Sequence, residues 1–97
     1  MAVVLHVELT LAPGRRDAYV ARAQRHRAKV LATEPGCSRF DISVPEDADN
    51  VVRLYEVYDD MTAFDHHMET PHMQDYRADT QPMIENRRST RAVLANG

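Results

Sequence analysis

Residues 3 to 10 alternate, with Val3, Leu5, Val7 and Leu9 on one face and Val4, His6, Glu8 and Thr10 on the other. That is the period of a half-buried strand. Ala12-Pro13-Gly14 breaks it. The Ala- and Arg-rich stretch from Arg15 to Thr33 then places Tyr19, Val20, Ala23, Val30 and Leu31 near helical spacing, with its charges mainly opposite, and so predicts an amphipathic helix. Glu34-Pro35-Gly36 stops it, because proline disfavours helix in its predecessor and glycine accepts positive φ.

A second strand begins at Cys37 and runs through Phe40, Ile42 and Val44 to Pro45. The polar Glu46 to Asn50 segment reads as a hairpin loop into a third strand, Val51 to Tyr58, antiparallel to the second. Asp59 and Asp60 can both cap a helix from Met61 to about Glu69. Thr70-Pro71 is a fresh N-cap with proline at the first helical position, which predicts another helical piece from Pro71 to about Asp79. Gln81-Pro82 ends or kinks it. The tail from Arg87 to Leu94 is β-capable from Thr90 to Leu94 and supplies a fourth strand.

The order β-α-β-β-α-β is that of an α+β, ferredoxin-like domain spanning residues 1–97, with helices on one face of a four-stranded antiparallel sheet. The other face would expose Val and Tyr side chains, and a second copy packed there as a homodimer would bury them.

Composition narrows the function. Hydrophobic residues make up 43% and charged residues 28% of 97 positions, which is ordinary for one small globular domain. The net charge of -3, with both signs mixed, leaves no basic stripe for nucleic acid. No run approaches membrane-spanning length, and His6 and Glu8 interrupt the apolar start where a signal peptide would continue. The single cysteine, Cys37, permits no internal disulfide and fits a reducing cytoplasm, where it reads as a small, partly buried thiol.

Three motifs occur in order: Glu34-Pro35-Gly36-Cys37, then Tyr55-Glu56-Val57-Tyr58, then His67-Met68-Glu69-Thr70-Pro71-His72. Together they resemble the antibiotic biosynthesis monooxygenase (ABM) domain over nearly the whole chain. The resemblance implies a dimeric α+β barrel with a cavity between sheet and helices in each subunit. Members include cofactor-free monooxygenases of quinols and aromatic polyketides, haem degraders, and an enzyme that processes a quorum-sensing sugar derivative. The chain has no tryptophan, which separates it from the haem-degrading branch and departs from the polyketide oxygenases, so it looks most like the quinol-monooxygenase and autoinducer-processing branch.

Oxygenation without metal or flavin needs a base, a polar group to hold the substrate anion, and an apolar pocket that excludes water. His67 is the expected base, facing the cavity if Phe64 and Met68 pack inward, while His66 lies about 100° around the helix and faces solvent. The structural alternative for His67 is a helix-end histidine satisfied by a backbone carbonyl. Glu56, mid-strand among apolar neighbours, needs a partner. That partner is either His67, which Glu56 would orient as the second catalytic residue, or one of Arg39, Arg53 and Arg91. Tyr19, Phe40, Leu54, Phe64, Met68 and His72 are the expected substrate-binding wall, with plain packing as the alternative reading. His6 and Asp41 fit either the cavity or a dimer seam.

The expected substrates are a hydroxylated aromatic or quinol and oxygen, with no cofactor. A metal cluster of His66, His67, His72, Glu69 and Asp65 is disfavoured, because Pro71 breaks the helix between His67 and His72 and no HxxxH pair is present. Two other functions share the fold. One is isomerisation of a small phosphorylated or hydroxylated ketone, marked by a phosphate-binding arginine. The other is non-catalytic ligand binding, with Arg87, Arg88 and Arg91 serving an anion or forming a solvated strand.

Overall fold

The computed structural model describes all 97 residues. Strand β1 (Val3–Leu11) leads to α1 (Arg16–Thr33), β2 (Cys37–Ser43), β3 (Val51–Tyr58), α2 (Met61–Glu69), α3 (Pro71–Thr80), one 3-10 turn (Gln81–Met83) and β4 (Ile84–Val93). The sheet order is β2-β3-β1-β4 with every neighbouring pair antiparallel, so the ferredoxin-like α+β arrangement stands. No helix is long and apolar enough to cross a membrane.

Alternation decides which side of the sheet is covered. Cross-strand partners share a face, and the register Val3↔Tyr58, Leu5↔Glu56, Val7↔Leu54 and Leu9↔Val52 sets one mostly apolar row beside another. Leu5, Val7, Leu9, Val52, Leu54 and Tyr58 of these rows meet Tyr19, Ala23 and Val30 of α1, Phe64 of α2, and Met73 and Tyr76 of α3 in one core. The α1 residues buried there, Tyr19, Ala23, His26 and Val30, follow helical spacing. Leu31, expected on that stripe, is 38% exposed.

The helix ends follow local chemistry. Asp60 caps α2 by accepting from the Ala63 amide at 2.8 Å. Thr70 closes α2 and opens α3: its hydroxyl donates to the His67 carbonyl at 2.9 Å and accepts from the Met73 amide at 3.2 Å. Gly36 does not take the positive φ expected of it, which only Gly14 adopts (φ 77°). Its role is space, since a Cβ there would lie 2.6 Å from the Ala63 Cβ and force β2 away from α2.

The fourth strand begins at Ile84, six residues before the segment that looked β-capable. Its first half is polar because no helix covers it. Main-chain pairing with β1, from Leu11↔Ile84 to Val3↔Val93, makes it a strand in place of apolar alternation. In that register Arg87 and Arg91 stand on the helix side of the sheet and Arg88 on the open side.

Candidate active site

His67 occupies the last turn of α2 and is almost fully buried. Its ring lies 5.1 Å from that of Tyr58 and 5.7 Å from that of His26. The carboxylate bonded to it is Glu34, whose two oxygens each lie 3.0 Å from His67 Nδ1. His72 Nε2, from the first turn of α3, reaches the same carboxylate at 2.5 Å. Three element ends therefore converge on one buried carboxylate: the C-cap of α1, the end of α2 and the start of α3.

This corrects the expected pairing of Glu56 with His67. Glu56 Oε1 instead accepts from the Tyr58 hydroxyl at 2.6 Å, two residues along the same face of β3. None of the three arginines considered for it forms the pair either. Arg39 bonds Asp41 and Arg53 bonds Glu8, both on exposed positions, and Arg91 lies over the Phe64 ring at 5.9 Å. The backbone carbonyl envisaged for the His67 ring is likewise replaced by Glu34.

A carboxylate can only accept, so His67 Nδ1 and His72 Nε2 each carry the proton of their bond. His67 Nε2 has no hydrogen-bond partner in the chain and holds the lone pair. Burial lowers the His67 pKa below its ordinary value, against the opposing pull of Glu34, and keeps the ring neutral at neutral pH. A neutral imidazole with its tautomer clamped from behind is a competent base.

His67 lines a narrow inner recess with His26, Phe40, Leu54, Glu56 and Met68. Met68, Met73, Tyr76 and Arg87 line both this recess and an outer cleft of about 450 Å³, whose other walls are Arg77, Thr80, Gln81 and Ile84. These four residues stand between the two spaces and border both. Burial raises the Glu56 carboxyl to about 7, with Tyr58 and Arg87 opposing, so the recess holds one carboxyl that titrates near neutrality beside an imidazole that burial keeps neutral.

Of the expected wall, Phe40, Leu54 and Met68 face the recess. Tyr19, Phe64 and His72 do not. Tyr19 is fully buried with its hydroxyl bonded to that of Tyr76, and Phe64 packs edge-on against Tyr58 at 5.4 Å. His72 turns outward of Glu34, at the floor of a surface depression. His66 is exposed, as are Asp65 and Glu69. The cluster with metal-ligating geometry is instead Glu34, His67 and His72, whose donor atoms all lie within 4.8 Å of one another. Cys37 is buried, and burial pushes its thiol up to about 11, which leaves it unreactive.

Sequence reasoning missed Glu34 and His26. A glutamate at a helix C-terminus opposes the helix dipole and so signals a specific partner. His26 stands three and four residues from Ala23 and Val30 on the buried stripe, a signal that its polar type hid.

A family model described as antibiotic biosynthesis monooxygenase matches residues 2–79. No curated protein matches at a significant level. Among solved structures, a candidate antibiotic biosynthesis monooxygenase from Nitrosomonas europaea superposes with a TM-score of 0.90 at 24% identity, covering 97% of this chain and 91% of that one. Rv0793 from Mycobacterium tuberculosis gives 0.89 at 22%, covering 100% and 98%. PA3566 from Pseudomonas aeruginosa gives 0.86 at 21%, covering 97% and 95%. At such identities these structures establish a shared fold alone.

Proposed function

The chain belongs to the antibiotic biosynthesis monooxygenase family, and from that premise we propose that it is a cofactor-free monooxygenase of a hydroxylated aromatic or quinol. One observation carries the reading. His67 is clamped at Nδ1 by Glu34, leaves Nε2 without a partner, and lines a recess that shares Met68 and Met73 with the outer cleft.

The phenolic substrate enters past Met68 and Met73 with its hydroxyl at His67 Nε2. The imidazole takes that proton, and Glu34 stabilises the imidazolium that results. The electron-rich substrate anion passes one electron to oxygen, and the radical pair combines into a carbon-bound peroxide that recovers the proton from His67. One oxygen atom stays in the product and the other leaves as water with two substrate hydrogens, so all four electrons come from the substrate. Glu56, near its own midpoint at neutral pH, is placed to receive or return a proton in the same recess. The active form is a homodimer in this reading.

The test is oxygen consumption by metal-stripped protein with a panel of hydroquinones and anthrones, corrected for spontaneous oxidation. His67→Ala should lower the enzyme-dependent rate by about 10²-fold or more. Absence of enzyme-dependent uptake across the panel would overturn the monooxygenase reading.

A second reading draws on Arg77 and Arg87, which line the outer cleft and form no ion pair. They suit an anionic substrate, such as the phosphorylated hydroxy-ketone of an isomerase that uses the same base. Turnover of such a ketone without oxygen, lowered by Arg87→Gln, would favour it.

A further inference from the structure

We propose that Glu34, His67 and His72 form a binding site for a divalent transition metal such as Zn²⁺, and that its occupancy silences His67 as a base. The second half rests on the base role given to His67 above; the first does not.

Two imidazole nitrogens and one carboxylate are a borderline-soft donor set, suited to Zn²⁺, Co²⁺, Ni²⁺ or Fe²⁺ and poorly suited to Mg²⁺ or Ca²⁺. The distances fit. Bonds of 2.0–2.1 Å to a tetrahedral ion put neighbouring donors about 3.3 Å apart. The Glu34–His67 edge is already 3.0 Å, and all three donors lie within 4.8 Å. The Glu34–His72 edge, 2.5 Å, must widen by about 0.8 Å as the ion replaces the proton between them.

The scaffold is stiff where it matters. Thr70 ties the end of α2 to the start of α3 through the His67 carbonyl and the Met73 amide, which holds the two histidines in fixed relation. Access comes from one side. Side-chain exposure is 2% for His67 and 4% for Glu34 but 17% for His72, and Glu34 and His72 line the outer depression. Glu69 and Asp75 on its rim outnumber Lys29, which favours a cation.

Coordination requires the Nδ1 lone pair of His67, so the proton there must move to Nε2. Nε2, the nitrogen given the base role above, then becomes a donor and cannot take a proton from substrate. His72 makes the converse shift, from Nε2 to Nδ1. His67, neutral in the folded chain, releases no net proton in this exchange, and the same carboxylate serves the base or the metal but not both.

The experiment is titration of metal-stripped protein with Co²⁺, followed by its visible ligand-field absorption, then displacement with Zn²⁺. Wild type should saturate at one equivalent. His72→Ala and Glu34→Gln should each weaken binding at least about tenfold, while His6→Ala, on the open face of the sheet, should bind as wild type does. No one-equivalent spectrum in folded wild type, or equal affinity in wild type and His72→Ala, overturns the site. Oxygen uptake by the Zn²⁺-loaded protein should fall to the His67→Ala level; an unchanged rate with metal bound overturns the silencing. Metal binding without any uptake in the metal-free protein would sink the monooxygenase reading and leave the site standing.

Discussion

His26 is 2% exposed, and neither of its ring nitrogens has a hydrogen-bond partner in the chain. It stacks on Tyr76 with centroids 4.1 Å apart and planes 8° from parallel, and Phe40 meets its ring edge-on at 5.5 Å. Burial, then the positive charge available to His67, His72 and Arg22, lowers its pKa to about 3. The unfolded chain therefore takes up a proton below about pH 6.5 that the folded chain refuses until about pH 3, and stability falls across that window as pH drops. His67, also lowered, acts in the same direction. Glu56 acts oppositely: raised from 4.5 to about 7, it favours the fold below pH 4.5 and loses that contribution as pH rises to 7. Urea midpoints across pH 4.5 to 7 should separate them. Glu56→Gln should steepen the loss of stability toward acid, and His26→Phe, which keeps the stack on Tyr76, should flatten it, each by up to about 1.4 kcal/mol per pH unit. Parallel profiles for the variants and wild type would refute this account.

Elements were legible where local chemistry stops and starts them. Val51–Tyr58 and the start of α3 at Pro71 fall where the sequence places them, because alternation and a Thr-Pro cap act within a few residues. The start of β4 was not legible, since an edge strand without a covering helix carries no apolar alternation. Gly36 was recognised as a breaker for the wrong reason. Its contact with Ala63 predicts that Gly36→Ala costs about 1–3 kcal/mol by overpacking. Ala63→Gly in the same chain should recover most of the loss in a denaturant double-mutant cycle. Additive losses would mean that the two residues do not meet.

At the scale of the whole molecule, the sheet has one covered face and one open. On the open face His6 meets Tyr55 edge-on at 5.2 Å, Glu8 pairs with Arg53 at 3.1 Å, and Arg88 and Thr90 complete a shallow depression. The proposed homodimer would cover this face, and an interface of at least about 1,000 Å² is needed to hold it. Sedimentation should then give twice the 11.1 kDa chain mass. Tyr55→Glu, placing a like charge near Glu8, should shift the protein toward monomer. A single 11.1 kDa species at every concentration would rule the dimer out.

The sequence by itself determined the element order, the fold class and the capping residues, because periodicity and capping are short-range properties that a chain displays wherever it is placed. Only the tertiary structure decided what His67 touches. Its partner Glu34 lies 33 positions away, and His72 is 38 positions from that same carboxylate. No local pattern distinguishes Glu34 from Glu56 as the partner; the choice follows from how α1 ends against the junction of α2 and α3. Burial of His26 and the near-neutral midpoint of Glu56 have the same origin, since desolvation is set by what packs around a side chain and not by the residues beside it in the chain.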